Sequence, residues 1–462
     1  MQGPGFARVG EGFRLLTETD VERIHQAALE VLERSGMAIR DEELLGRLAR
    51  AGCAVDSQAG VVRLPQGLVE EARREAPPVA VLCGRDAGQD LRLGDGKLYT
   101  RTTGGATRIL DLDTGEARDA TLADVVHCLR VAEALPHIHG VSMFQVVPAD
   151  VPVRRVDIYV AQAALLHVRK PLFFVCHNPE HLEAVVEMAA AAAGGIQALQ
   201  ERPLLGGLCE STAPLRLVES QSAVLKTFAR HGLPLMLHAH PIAGFTSPVT
   251  LAGELVVTHA EVLALVTLAQ LWQPGAPVVY GMSSSVPDMR TGANLAGAVE
   301  IGLLGAAVVQ LARHCSLPCA VTSGMDAAGP GPQAMLERLM TALPPILAGV
   351  DLINLSTTEA KMTFSLEQLV LDDEVMRWVG RLVRGIAVDE ETLASRLIQD
   401  VGPGGAYLGL DHTLRHFREE LLSEGLIRGA HGGRVLDLLA NARAQVKAVL
   451  ESGSGSHVDR VL

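Results

Sequence analysis

Apolar positions recur at helical spacing over 17–35, where Ile24, Ala28, Val31 and Leu32 share a face. Thr17 and Asp20 give a capping signal and Gly36 a stop. The same rhythm returns over 41–51, closed by Gly52, and over 65–76. Between 79 and 118 the period falls to two. Val79, Val81, Leu91, Leu93, Leu98 and Tyr99 alternate with polar residues, and 111–115 (DLDTG) predicts a turn between short strands. From 121 the pattern changes again. Strand-length apolar runs at 140–147, 172–176, 204–209, 234–238, 277–281, 318–322 and 350–355 alternate with helical stretches at 121–134, 153–169, 180–193, 214–231, 251–271, 293–313 and 333–347. Strands apolar on both faces, each followed by a helix, predict a parallel sheet covered by helices. The evenness of the repeat favours a closed α/β barrel of the (β/α)8 TIM type over an open sheet. The eighth strand is expected from 102–110 or 363–371. No glycine-rich dinucleotide fingerprint follows the first run. The expected organisation is an N-terminal helical and β-hairpin extension (1–118), the barrel (119–371), a C-terminal helical segment (372–450) and a disordered tail (451–462) of linker composition, ESGSGSHVDRVL.

Charge narrows the partners. Fifty-three acidic against forty basic residues leave a net charge of −13 over 462 residues, which argues against nucleic acid and anionic membrane as main partners. The longest apolar stretches, 251–271 and 293–312, carry Glu254, His259, Glu261 and Glu300 and read as buried helices. Seven cysteines, an odd number, predict reduced thiols in a cytoplasmic protein, and the first residues show no secretory signal. Cys315-x3-Cys319 is a weak metal pattern, so the thiols are expected to be structural and no metal is expected. So apolar a chain is compatible with a homo-oligomer.

Chemistry in such a barrel sits where strands end and βα loops begin. Those positions hold Phe144 and Gln145, Cys176 and His177, Cys209 and Glu210, His238 and His240, Tyr280 and Met282, Ser323 to Asp326 and Asn354 to Thr357. They are mostly polar or aromatic, and polar groups gathered at one rim suggest a binding mouth. His238 and His240 alternate along a strand and are expected to face one cavity, with Glu210 beside them. They fit a substrate site, a metal site or plain hydrogen bonding in a loop. Glu210 is the acidic group expected to meet a cation. Aromatics are only 3% of the chain, so Phe144, Phe173, Phe174 and Tyr280, with Met282, are candidates for a cage around a quaternary ammonium, against core packing as the ordinary role. Arg101 beside Gly104-Gly105 could approach an anion. Cys176 and Cys209 as nucleophiles are the weakest candidates, since buried cysteine usually packs.

Longer segments carry a resemblance. LTETDVERIHQAALEVLERSGM (16–37), GGATRILDLDTGEARDATLAD (104–124), SGMDAAGPGPQAMLER (323–338), ALPPILAGVDLINL (342–355), SLEQLVLDDEVMRWVGRLVRGIAVDEETLA (365–394) and VGPGGAYLGLDHTLRHFREE (401–420) resemble, in order, the trimethylamine–corrinoid protein methyltransferases. The resemblance is to the branch without pyrrolysine, which includes glycine betaine methyltransferases, and it spans about 13–450. It implies a (β/α)8 barrel and transfer of a methyl group from a methylated amine to the Co(I) of a corrinoid (cobalamin) carried by a separate protein, with no cofactor held tightly by this chain. Met325 and Asp326, from the strand-end positions, are also among the substrate-site candidates. The trimethylamine enzymes carry pyrrolysine in a region corresponding to about 320–335; this chain has standard residues from Thr322 to Gln333. Family members often have a serine-lysine pair after the aspartate of this segment, where this chain has Ala327-Ala328.

A quaternary ammonium needs no covalent activation, because it is already charged and leaves as a neutral amine. The expectation is therefore a betaine-like substrate, with positioning groups and no catalytic residue. A substrate carboxylate would meet His238 and His240, or Arg101. The alternatives are a metal-dependent lyase or hydrolase using His238, His240 and Glu210, and a non-catalytic descendant that binds a betaine.

Overall fold

The computed structural model describes residues 4–7, 13–355, 357–422, 425–426 and 437–452. The expected disordered tail lies outside these residues from 453 onward, whereas Glu451 still ends a helix, Leu438–Glu451.

Eight parallel strands form the centre: β1 (Lys97–Thr102), β2 (Val141–Ser142), β3 (Leu172–Phe174), β4 (Leu205–Glu210), β5 (Leu235–Ala239), β6 (Val278–Met282), β7 (Cys319–Ser323) and β8 (Leu352–Leu355). Chain neighbours are sheet neighbours, and β8 returns to pair with β1, Asn354 opposite Arg101. The bridge from Arg101 to Gly140 brings β1 to the segment entering β2 and closes the ring. Three helices precede the barrel: α1 (Glu18–Arg34), α2 (Glu42–Arg50) and α3 (Gln66–Glu75). One major helix then follows each strand: α4 (Leu122–Ala134), α5 (Val156–His167), α6 (Leu182–Ala193), α7 (Glu219–Arg230), α8 (Leu251–Trp272), α9 (Val299–His314), α10 (Pro332–Ala348) and α11 (Leu366–Val383). Both α1 and α4 start in a capping box, Thr17 with Asp20 and Thr121 with Asp124, each pair satisfying backbone donors the helix leaves open. The chain is thus the (β/α)8 barrel its repeat predicts.

The eighth strand comes from neither expected segment. It is β1, just upstream of 102–110 and inside the stretch assigned to the extension, so a boundary at 118/119 cuts the barrel. Its alternation, with Tyr99 and Arg101 on one face, looks like a half-exposed hairpin strand although both faces are covered. The two expected segments instead meet each other: Arg108–Leu110 pairs with Thr363–Phe364 and Ala117–Asp119 in a small sheet built from the loops after β1 and β8. The other expected boundary, 371/372, falls within α11.

Two large apolar cores form among the described residues. One lies between strands and helices. The other fills the lower barrel, where Tyr99, Phe173, Met236, Val279, Ala320 and Leu352 pack against a hairpin of Ala80–Leu82 and Leu91–Leu93. That hairpin plugs the N-terminal end, so a ligand enters from the C-terminal end. Helix α8 is long and apolar enough to cross a membrane, yet 72% of its most apolar window is buried in the protein. Arg338 on α10 grips Asp372 on α11 through two bonds of 3.0 and 2.8 Å, and donates to Ser323 at the end of β7. This buried ion pair fixes one wall of the mouth.

Candidate active site

Above the apolar plug, the inward positions of the strands become polar. Arg101 Nε donates to Asn354 Oδ1 at 2.6 Å, and Asn354 Nδ2 donates to Thr322 Oγ1 at 3.2 Å. Thr322 and Ser283 hydroxyls share a bond of 2.8 Å, and Ser283 Oγ lies 3.1 Å from His238 Nδ1. Glu210 Oε1 is 4.0 Å from the same nitrogen. A hydrogen-bonded arc thus runs through β1, β8, β7, the residue after β6, and β5, and reaches Glu210 on β4. It fixes these side chains before any ligand arrives.

Gly281 makes room for the arc. A Cβ there would stand 1.9 Å from His238 Cδ2, so only glycine lets the imidazole lie across β6. His238 Nε2 is buried and has no hydrogen-bond partner among the described residues. Such an atom costs stability unless a ligand or water completes it.

Among the described residues, the charges that act on one another here are two cations and one anion. Arg101 lies over the Phe173 ring, 4.5 Å from its centroid, and burial pulls its guanidinium down to about 10, with Glu210 opposing. Lys361 stands over the same space. Burial lowers its ammonium and Glu210 again opposes. Burial raises Glu210, countered by Lys361 and Arg101. Its side chain is 34% exposed, enough to open into the mouth. Burial, with the charge of Arg101, Lys361 and His240, holds His238 well below the usual imidazole range. The Lys361 charge, then burial, pushes His240 down to about 3. Both imidazoles are therefore neutral at pH 7.

Lys361 reaches the site on a constrained loop. Glu359, Ala360 and Lys361 have φ of +49°, +49° and +80°, a left-handed run that costs non-glycine residues of order 1–3 kcal/mol each. Glu359 N and Ala360 N donate to Ala327 O and Met325 O, and Thr358 Oγ1 to Thr363 O, which pin the loop.

The structure brings Arg101, Glu210, His238 and His240 to one mouth, keeps Phe173 of the candidate cage inside the barrel and turns Phe144, Phe174, Tyr280 and Met282 away. Tyr280 and Met282 occupy the opposite face of β6 from Gly281. The Tyr280 hydroxyl meets His259 Nδ1 of α8 at 2.8 Å, behind the barrel wall. Phe174 stacks on Phe228 of α7, and Phe144 packs on Phe174 and His177. Strand alternation explains the correction: inward residues at these levels are Phe173 and Gly281, one register step away. Met325 is buried in a small cluster with Ala327 and Ala334. The Asp326 carboxylate accepts from Ala296 N (2.7 Å) and Gly297 N (2.9 Å), so it clamps the loop after β6. Gly104 packs against the Phe144 backbone, where a Cβ would strike the carbonyl oxygen at 1.7 Å. Burial raises the Cys176 thiol to about 12 and Cys209 further, which removes their nucleophilic form. Glu210, His238 and His240 do not bring ligand atoms together as a chelating set among the described residues. Asn354 stood among the strand-end positions read from the sequence, whereas Lys361, Ser283 and Thr322 were not singled out as site residues. The serine run after β6 (SSS, 283–285) was the available cue, since consecutive hydroxyls at a strand end need partners.

A plugged (β/α)8 barrel with a charged mouth at the C-terminal ends of its strands is the scaffold of many barrel enzymes. The family can be stated: the sequence model described as "Trimethylamine methyltransferase (MTTB)" matches residues 3–426, and the chain belongs to that family. It is 36% identical over 424 residues to trimethylamine methyltransferase MttB of Desulfitobacterium hafniense (strain DSM 10664 / DCB-2), covering 91% of this chain and 85% of that one. It is 33% identical to trimethylamine methyltransferase MttB1 of Methanosarcina mazei, covering 87% and 83%. It is 30% identical to the glycine betaine methyltransferase of Desulfitobacterium hafniense (strain Y51), covering 90% and 86%. The crystal structure of the Methanosarcina barkeri monomethylamine methyltransferase aligns over 96% of both chains with 11% identity and a TM-score of 0.48.

Proposed function

We propose that this protein transfers a methyl group from a carboxylate-bearing quaternary amine, a betaine, to the Co(I) of a corrinoid held by a separate protein. Membership of the methyltransferase family supports the reaction class. The observation that carries the substrate class is the charge of the mouth: Arg101 and Lys361 against Glu210 alone, with both histidines neutral. A bare ammonium would meet two positive groups and one negative. A zwitterion lets Glu210 face its ammonium and Arg101 with Lys361 face its carboxylate, while His238 Nε2 gains a partner. Because Phe144, Phe174 and Tyr280 turn outward and the inward Phe173 ring already carries Arg101, recognition of the cation falls to the carboxylate.

The corrinoid supplies a nucleophilic electron pair for the methyl carbon. The C–N pair stays on nitrogen and a neutral tertiary amine leaves, so no proton moves. The chain's residues bind, orient and shield. The arc from Arg101 to His238 fixes one end of the substrate, which directs the methyl groups outward, and positioning of this kind is worth several orders of magnitude in rate. The acceptor has to reach the open end. Exposed apolar side chains stand on the loops there: Val153 after β2, Phe245 and Val249 after β5, Met289 after β6 and Met362 after β8. Such a rim suits a docking protein. A thermal-shift panel tests the substrate class. Betaines should raise the melting temperature, and tetramethylammonium, which has no carboxylate, should not. Equal stabilisation by both would refute the zwitterion reading.

A further inference from the structure

Behind the barrel wall, on the opposite face of β6 from the polar arc, a second group of side chains converges. His25 of α1, His259 of α8 and Cys315, which follows α9, are all buried, and their nearest ligand atoms lie within 4.8 Å of one another. His25 Nδ1 and His259 Nε2 face each other at 2.8 Å. The far nitrogen of each ring is already committed. His25 Nε2 meets Glu70 Oε1 at 2.9 Å, and Arg73 holds that carboxylate through contacts of 3.1 and 2.6 Å. His259 Nδ1 meets the Tyr280 hydroxyl at 2.8 Å.

This is the arrangement in which imidazoles bind metals. A carboxylate or hydroxyl on the distal nitrogen sets the tautomer and aims the other nitrogen at the ion. The donor set is two imidazoles and one thiol, which suits zinc over the hard cations that take oxygen. A cleft lies nearby, although His25, His259 and Cys315 do not line it. This surface cleft of about 450 Å³ is lined by His314, the residue before Cys315, together with Glu22, Val21 and Gln310. The ring centroid of His314 lies 4.7 Å from that of His25.

We propose that His25, His259 and Cys315 form a structural zinc site that fastens the N-terminal helices to the outside of the barrel. Binding releases the Cys315 proton to solvent, leaves N–H on His25 toward Glu70 and on His259 toward Tyr280, and opens the two ring nitrogens to the roughly 3.3 Å of a tetrahedral site. The fourth position is left to a water molecule. The competing arrangement is a neutral relay, Tyr280 to His259 to His25 to Glu70, in which the thiol only packs. The surface group of Glu391, His412 and His416 is the other place a metal could lodge among the described residues.

The test uses the full chain, stripped with a chelator and titrated with Co2+ as a spectroscopic probe. One equivalent should bind with tetrahedral d–d absorption and a thiolate-to-cobalt charge-transfer band, and Zn2+ should displace it. The H412A/H416A variant should behave like wild type. C315S should lose the charge-transfer band and bind at least tenfold more weakly, and Zn2+ should raise the melting temperature of wild type but not of C315S. If C315S does not fold, anomalous scattering at the zinc edge from wild-type crystals decides: density between His25, His259 and Cys315 supports the site. No thiolate band, a band unchanged in C315S, or anomalous density elsewhere would overturn it.

Discussion

Replacing Gly281 with alanine tests the mouth directly. The new Cβ would stand 1.9 Å from His238 Cδ2 and 2.4 Å from Nε2, against the 3.4 Å at which ordinary contact begins. The ring has to retreat by about 1.5 Å, an overpacking that costs about 1–3 kcal/mol. The move also breaks the 3.1 Å contact to Ser283, worth about 1 kcal/mol. Activity should suffer more than stability, because an ångström of misplacement in a positioning site costs on the order of 10²-fold. The control is Gly207→Ala. Gly207 faces outward on β4, and its Cβ would press on the Phe228 ring at 2.7 Å. Its cost is a similar ~1–3 kcal/mol of stability, with kcat/KM of the folded fraction unchanged. The assay pairs urea unfolding with initial rates of corrinoid methylation. If G281A keeps wild-type kcat/KM, or G207A loses as much as G281A, His238 does not position the substrate.

Other perturbations have defined outcomes. Glu210→Gln keeps the shape and removes the anion, so kcat/KM for a betaine should fall roughly 10–100-fold with the fold intact, as steady-state rates and circular dichroism would show. Phe245→Ser with Val249→Ser should raise KM for the carrier protein and leave the rate with free cobalamin unchanged; equal loss with both acceptors would remove these loops from docking. Arg338→Met breaks the buried pair with Asp372 and should cost about 3–5 kcal/mol in urea unfolding. Glu254 titrates near pH 7 because burial raises its carboxyl from 4.5. A raised folded value favours the protonated form, so its stabilising contribution is complete below pH 4.5 and is lost as the pH rises through 7. The loss is up to about 3 kcal/mol. Glu254→Gln should therefore flatten the fall in melting temperature between pH 5 and 8, and an unchanged slope would show that Glu254 is not its source.

Much of the fold was legible in the sequence because a parallel barrel repeats one unit. Each run from 140–147 to 350–355 became a strand within a few residues, since buried parallel strands must be apolar on both faces. The first strand escaped because Lys97–Thr102 carries a lysine, an arginine and two threonines, the price of supplying Arg101 to the mouth. Glu210, His238 and His240 could be read from their position at strand ends, and Arg101 only from its place beside Gly104-Gly105. The aromatic cage could not, because composition reveals a ring but not which face of β6 or β3 it occupies. One register step separates Tyr280, behind the wall, from Gly281, beneath His238. Lys361 was hidden for a different reason. It enters the site through three left-handed residues that no periodicity predicts.

The measurement that tests the account most directly is a transfer reaction with a betaine bearing 13C-labelled N-methyl groups and a corrinoid protein reduced to Co(I). Labelled methyl-cobalt and an equimolar tertiary amine, formed by wild type and lost in E210Q, are the predicted result. Labelled betaine left intact beside active Co(I), or equal transfer from trimethylamine and betaine, would contradict it.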